Sequence, residues 1–158
     1  MPLRRTLFRS GALALLALSG TALGQDAGLV TQPSRHDAAE TARRFAAAVR
    51  DAGWVVFTEI DHAAAARAAN LALPTRTVII FGNPVTGTPA MAGQPTLALD
   101  LPMRVLVWDD AAGRTHLTRS TGQDIAGRVF ARHGIAMPAP AQAGLEAALA
   151  GFARRATE

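Results

Sequence analysis

Ile60-Asp61-His62, Phe81-Gly82-Asn83-Pro84, Gly87-Thr88-Pro89 and Leu99-Asp100-Leu101-Pro102 follow one another along the chain, and a Val-rich run then ends at Trp108. Each of these words sets turn-forming residues against an apolar run. Gly, Pro, Asn and Asp reverse or cap a chain through special backbone freedom or short side-chain acceptors. Two segments between and before them, Trp54–Glu59 and Thr75–Phe81, are rich in β-branched and aromatic residues and read as strands. Thr75–Phe81 is apolar without alternation, which predicts a central position with both faces covered. Asp61 is placed to cap a short alanine helix, His62–Ala69, that Asn70 can end. Gly82–Gln94 reads as loop, with one helical turn opened by Thr88-Pro89, a capping residue before a first-turn proline.

Upstream, Leu29–Thr31 begins a short strand that Pro33 ends. Asp37 caps the next helix, with Glu40 three residues on as in a capping box. Ala38, Ala42, Phe45 and Val49 recur there at helical spacing, and Gly53 stops the helix in the left-handed conformation. Downstream, Met103–Trp108 and Arg114–Ser120 predict a hairpin across Asp109–Gly113. Thr121 and Asp124 open a helix with Ile125, Val129 and Phe130 on its apolar side. Met137-Pro138-Ala139-Pro140 is a linker, and Leu145, Leu149 and Phe152 stripe a last helix. The order β-α-β-α-β-loop-β-β-α-α predicts an α+β fold: a mixed sheet of four to five strands with helices packed against it.

The N-terminus reads as an export signal. Arg4, Arg5 and Arg9 precede an apolar run, Ala12–Leu18, and Ala22-Leu23-Gly24 puts small residues around a cleavage point before Gln25. The run is too short to span a bilayer, which needs about 20 apolar residues. Arg4-Arg5 fits either the general secretory or the twin-arginine route. The expected organisation is a signal peptide over 1–24, one α+β domain over 25–136, and a linker with a packed helix over 137–158. A periplasmic or secreted location follows, with no membrane span once the signal is removed.

Composition excludes several functions. The chain has no cysteine, so disulfides, thiolate nucleophiles, thiolate metal ligands and a lipid-modified cysteine are all ruled out. Every basic residue is Arg, and three of the 16 lie in the signal, so the formal charge of +4 falls to near balance in the remainder. The arginines are scattered and not interleaved with aromatics, so no nucleic-acid partner is expected. Gly82-Asn83-Pro84-Val85-Thr86-Gly87-Thr88 mimics the glycine spacing of a phosphate-binding loop, but Thr88 stands where that motif needs Lys. There is no Gly-x-Ser-x-Gly elbow either.

The ordered set of words between Leu29 and Ser120 resembles the bacterial family called domain of unknown function 302. The resemblance implies an α+β fold and a homodimer, and it makes the Asp61-His62 pair a hallmark. Many members carry Lys after the Asn-Pro pair. Here that residue is Val85, so this loop has no charge with which to hold an anion.

His62 and Asn83 each follow a strand, and one short helix joins those strands. Such a crossover normally returns the chain parallel to its start, which would place both residues at one edge of the sheet, facing one pocket. The expected ligand-binding residues are Asp61, His62, Asn83, Thr88 and Asp100, with Met91 in a covering loop. A helix N-terminus at His62 favours the neutral imidazole, able to accept a proton or ligate a metal. Asp100, in apolar company, needs a partner such as Arg104. His62, Asp100 and Met91 are also ligand types for copper or haem, though Met91 packs more simply as an apolar filler. His36, His116 and His133 read as local structure. Three functions fit: an exported protein binding a small molecule or metal ion, a hydrolase or lyase using Asp61 and His62 as an acid–base pair, and a non-catalytic homodimeric module. No catalytic residue, metal or cofactor is assigned from sequence.

Overall fold

The computed structural model describes residues 28–158; the signal peptide expected over 1–24 and its expected cleavage point lie outside them. Five strands form one sheet in the order β1-β5-β4-β3-β2. They are β1 Leu29–Pro33, β2 Val55–Asp61, β3 Arg76–Gly82, β4 Met103–Asp109 and β5 Thr115–Ser120. The helices are α1 Ala38–Asp51, α2 His62–Ala68, α3 Pro84–Gly93, α4 Gly122–Asp124 and α5 Ala139–Thr157. α4 runs on as a π-helical segment, Ile125–Phe130, and a 3-10 turn, Ala131–His133. A second 3-10 turn, Pro95–Leu99, precedes β4.

The α+β architecture follows the sequence reading, and so do the local signals. Asp37 accepts from the Glu40 N–H at 2.8 Å and starts α1. Glu40 then turns to Arg43 in a two-pronged pair rather than back to its cap. Gly53 leaves α1 at a φ of 75°, and Asn70 ends the α2 region at 58°. Thr121 accepts from Asp124 N–H to open α4.

The sheet departs from expectation in one respect. Every neighbouring pair is antiparallel, so the sheet is not mixed. α2 is only seven residues long, and Leu71–Thr75 after it has no regular secondary structure. The connection therefore works as a long hairpin, not as a crossover, and β3 returns antiparallel beside β2 with Asp61 opposite Thr77 and Val55 opposite Gly82.

Alternation along the strands sets the core. Ile79, Phe81, Val105, Val107 and Leu117 point to one face, where Phe45 and Val49 of α1 and Leu149 and Phe152 of α5 meet them. Phe45 stands edge-on to Phe81 at 5.0 Å and to Phe152 at 6.2 Å, the geometry that ring quadrupoles favour. α5 is thus part of the core. On the other face Val78, Ile80, Leu106 and Thr118 are half-exposed. Near the hairpin end of that face, Arg76, Trp108 and His116 stack across three strands.

Candidate functional site

The clearest hollow, about 630 Å³, lies at the end of the sheet where β3 finishes and β2 and β4 begin. α3 closes one side, and the Met137–Leu145 part of the chain closes the opposite one. Its floor belongs to the aromatic core: Trp54, at the mouth of β2, stacks on Phe81 at 6.4 Å and meets Phe152 edge-on at 5.2 Å.

Local sequence explains how the wall forms. Asn83 is the N-cap of α3; its Oδ1 accepts from Val85 N–H at 2.9 Å, and Pro84 fills the first helical position, where no N–H is needed. The segment read as loop is therefore a ten-residue helix. Its interior carries Pro89, which the reading took as a helix start. That proline is the sixth residue of α3, so the Val85 carbonyl four residues back loses its usual donor and the helix forms in spite of it. Gly82 is buried, and Phe57 and Pro102 pack over it, at 3.6 Å and 3.4 Å from where a Cβ would stand.

Two backbone irregularities aim aromatic rings at the hollow. The register between β2 and β3 slips between Val56 and Thr58, and the bulged residue is Phe57. Bulges re-aim side chains and recur beside functional sites. Phe130 ends the π-helical segment, a rare geometry with the same association. Both residues line the cavity. So do Met91, Met103 and Met137, all the methionines among the described residues. Each is half-buried, and the fully buried core contains none.

Of the expected site residues, Asn83 and Thr88 line this cavity, as does Met91. Asp61 and His62 do not. The antiparallel pairing of β2 and β3 puts them at the opposite edge of the sheet from Asn83, so the shared pocket expected from a crossover does not form. Both are exposed; Asp61 caps α2 through Ala64 N–H at 2.9 Å and lies 3.7 Å from Arg67.

Asp100 lies beyond the cavity, on a second hollow of about 340 Å³ over the open sheet face. Its main partner is not Arg104. His133 Nε2 lies 2.7 Å from Asp100 Oδ2, and Arg132 sits at 3.2 Å. The His133 hydrogen bond, with the charge of Arg132 beside it, holds the Asp100 carboxyl below its ordinary range. The other ring nitrogen of His133 meets Thr96 Oγ1 at 2.9 Å, and Gln94 donates to its carbonyl at 2.8 Å. His133 is buried, whereas the sequence marks it only as local structure. Nothing local marks a contact across 33 residues. Met103 and Met137 were also missed, although the scarcity of methionine, with none in an obvious core stripe, was a usable signal.

A hydroxyl, an imidazole and a carboxylate in line suggest nucleophilic chemistry, but neither hollow reaches Thr96 or His133. A substrate needs a concavity beside the nucleophile. The trio instead fastens the Gln94–Asp100 segment to the 3-10 turn that follows the π-helical stretch. Among the described residues, no cluster of three His, Asp or Glu could hold a metal ion.

Over residues 30–152 the chain matches the family described as Domain of unknown function DUF302. It is 50% identical over 93 residues to the protein named Fluoride-specific ion channel FluC 1 of Brucella suis biovar 1 (strain 1330), and equally to the one of that name in Brucella abortus biovar 1 (strain 9-941). These matches take 59% of this chain but 37% and 34% of those proteins, so the chain spans about a third of the length of the curated relatives it matches. The fold is similar to that of an uncharacterized conserved DUF302 protein from Bacillus stearothermophilus, solved as a crystal structure. The TM-score is 0.67 over 82% of this chain and 98% of that one, at 14% identity. The sequence match takes in most of the chain, from the first strand to the last helix, and the protein belongs to the DUF302 family.

Proposed function

We propose that this protein is an exported binding module that holds a small molecule in the cavity between α3 and α5. One observation carries the reading: a β-bulge, a π-helical segment and all three methionines of the described residues converge on a single hollow of about 630 Å³. That volume lies within the range of small-molecule sites, which are mostly apolar with a few polar groups. Irregular backbone costs stability, and it is spent here on Phe57 and Phe130, which face the hollow. Native mass spectrometry of protein purified from its own cells tests the proposal. A bound mass lost from a variant with the cavity filled supports it; an empty protein that also takes up no apolar dye argues against it.

The acid–base reading of Asp61 and His62 has less support, since both are exposed and neither touches either hollow. A second copy of the chain is the partner we propose for the open sheet face, because Leu29, Ile60 and half-exposed Val78, Ile80 and Leu106 give it apolar area. Sedimentation velocity, with Leu106→Arg as the disrupting variant, tests this. The Brucella relatives are named as channels, yet no helix of the described residues is long and apolar enough to cross a membrane. We read the shared segment as a module joined to a channel, not as its pore.

A further inference from the structure

We infer that the ligand of this cavity is uncharged: an apolar body carrying one hydroxyl or carbonyl that docks at the first turns of α3. This rests on the binding reading above and narrows it to a chemical class. Among the described residues, no Asp, Glu, Arg or His lines the cavity. An ion drawn into such a wall would lose its hydration and meet no side chain of opposite charge; the partial positive end of α3 is weaker than a full charge and fades within the first turn, so an ionic ligand is selected against. Asp100, next to the wall residue Leu101, is paired with Arg132 and His133 outside the hollow.

Apart from the indole N–H of Trp54, the polar side chains among the described lining residues are few, neutral and gathered on the first turns of α3. Asn83 commits its Oδ1 to Val85 N–H, which leaves its amide hydrogens to donate. Thr86 Oγ1 donates to Asn83 O at 3.3 Å and keeps its lone pairs for accepting. Thr88 adds a second hydroxyl on the same wall. One donor amide and two hydroxyls match a hydroxyl or carbonyl group; they cannot neutralise a carboxylate or an ammonium.

The rest of the wall is deformable. Met91 comes from α3, Met103 from β4 and Met137 from the segment before α5, three elements with different constraints. Leu, Ile, Val, Phe and Ala fill the core, where shape must be specified; Met borders the cavity, where shape must adapt. The cavity thus selects on charge and tolerates variation in the form of the apolar body.

The test uses the neutral dye N-phenyl-1-naphthylamine, displaced at neutral pH by 1-decanol, decanoate or decylamine, three molecules with one apolar body and different heads. Decanol is expected to displace the dye at a concentration roughly tenfold lower than either ion, a difference of one decade in dissociation constant. Asn83→Asp keeps a good helix cap and adds a negative charge at the polar end, so it should move the preference toward decylammonium. Decanoate displacing the dye as well as decanol does overturns the uncharged-ligand inference and leaves the binding reading intact. Dye that fails to bind overturns the binding reading itself. So does dye that binds equally to Gly144→Phe, a change with nothing within 4 Å of its Cβ that should fill the hollow without unfolding the chain. Silver ion that blocks the dye, and ceases to do so when the three methionines are replaced by Leu, would reassign the thioethers to a soft cation and overturn the inference.

Discussion

His133 Nε2 lies 2.7 Å from Asp100 Oδ2 while Nδ1 of the same buried ring lies 2.9 Å from Thr96 Oγ1. One imidazole thus joins the segment before β4 to the 3-10 turn that follows the π-helical stretch, and the chain beside each end supplies cavity wall through Leu101, Pro102 and Phe130. The joint is sensitive to acid. Hydrogen bonding from His133 holds the Asp100 carboxyl low, and Asp110 is held lower still, first by the Arg114 backbone N–H and then by His116. A carboxylate with a lowered folded pKa stabilises the protein fully above its unfolded value. That contribution is lost as pH falls through the folded one. Stability to urea should therefore carry the full contribution of these groups at neutral pH, with no pH slope from them there, and fall as pH drops below the ordinary carboxylate range. Asp100→Asn should flatten part of that acid slope; an unchanged slope would remove Asp100 from the explanation.

Asn83 supports α3 before it supports any ligand. Losing its bond to Val85 N–H should cost about 1 kcal/mol in Asn83→Ala, the usual cost of removing an N-cap. Asn83→Asp, which caps as well, should cost much less. Urea denaturation of both variants checks this, and equal losses would show that the cap is not the cause.

Element identity was legible where signals are local. Asp37, Asp61, Thr121, Gly53 and Asn70 each mark an end that the sequence alone placed. Strand direction was not legible, because nothing in Ala63–Thr75 distinguishes a crossover from a long hairpin. That one ambiguity moved His62 from the cavity to the far edge. α3 was hidden because Gly87 and Pro89 discourage a helix, and the Asn83 cap and the neighbouring chain outweigh them. The Asp100–His133 contact and the convergence of Met91, Met103 and Met137 are tertiary facts. Their residues are far apart in the chain, and no spacing rule joins them.

Two helical glycines should respond oppositely to alanine. Gly151 lies within α5 with nothing within 4 Å of a built Cβ, so Gly151→Ala should stabilise by about 0.5–1 kcal/mol through lower backbone entropy in the unfolded chain. Gly122 begins α4 against α5, and a Cβ there would stand 2.7 Å from Gln142 O and 3.0 Å from Glu146 N, both backbone atoms. Gly122→Ala should lower the melting temperature. A rise would mean that α4 and α5 can separate freely.

The same contact is fastened by charge. Glu146 on α5 accepts from Arg119 Nη2 at 2.6 Å and from Gly122 N–H at 2.7 Å, and these bonds, Arg119's first, lower its carboxyl pKa. Arg119 is buried, and its Nε finds no partner among the described residues. Glu146→Ala would strand a buried guanidinium, which costs about 3–5 kcal/mol in a fully buried pair. Because the Glu146 side chain is 40% exposed, water offsets part of this, and about 2 kcal/mol is expected. Calorimetric unfolding measures it. A loss smaller than that of Asn83→Ala would place the anchor of α5 in Leu149 and Phe152 alone.

Oxidation should separate the cavity from the core. Sulfoxide formation turns a flexible apolar thioether into a polar group. Met91, Met103 and Met137 are half-buried, so peroxide can reach all three, and all three line the cavity. No methionine belongs to the fully buried core, so oxidation should leave the fold largely intact while weakening naphthylamine binding several-fold. Replacing the three by Leu conserves volume and costs less than about 1.5 kcal/mol per site. That variant should bind the dye and keep binding it after peroxide. Mass spectrometry counts the sulfoxides, calorimetry follows the fold, and dye fluorescence follows the cavity. Peroxide that unfolds the native chain before binding falls would mean that these methionines hold the core together and do not border a site.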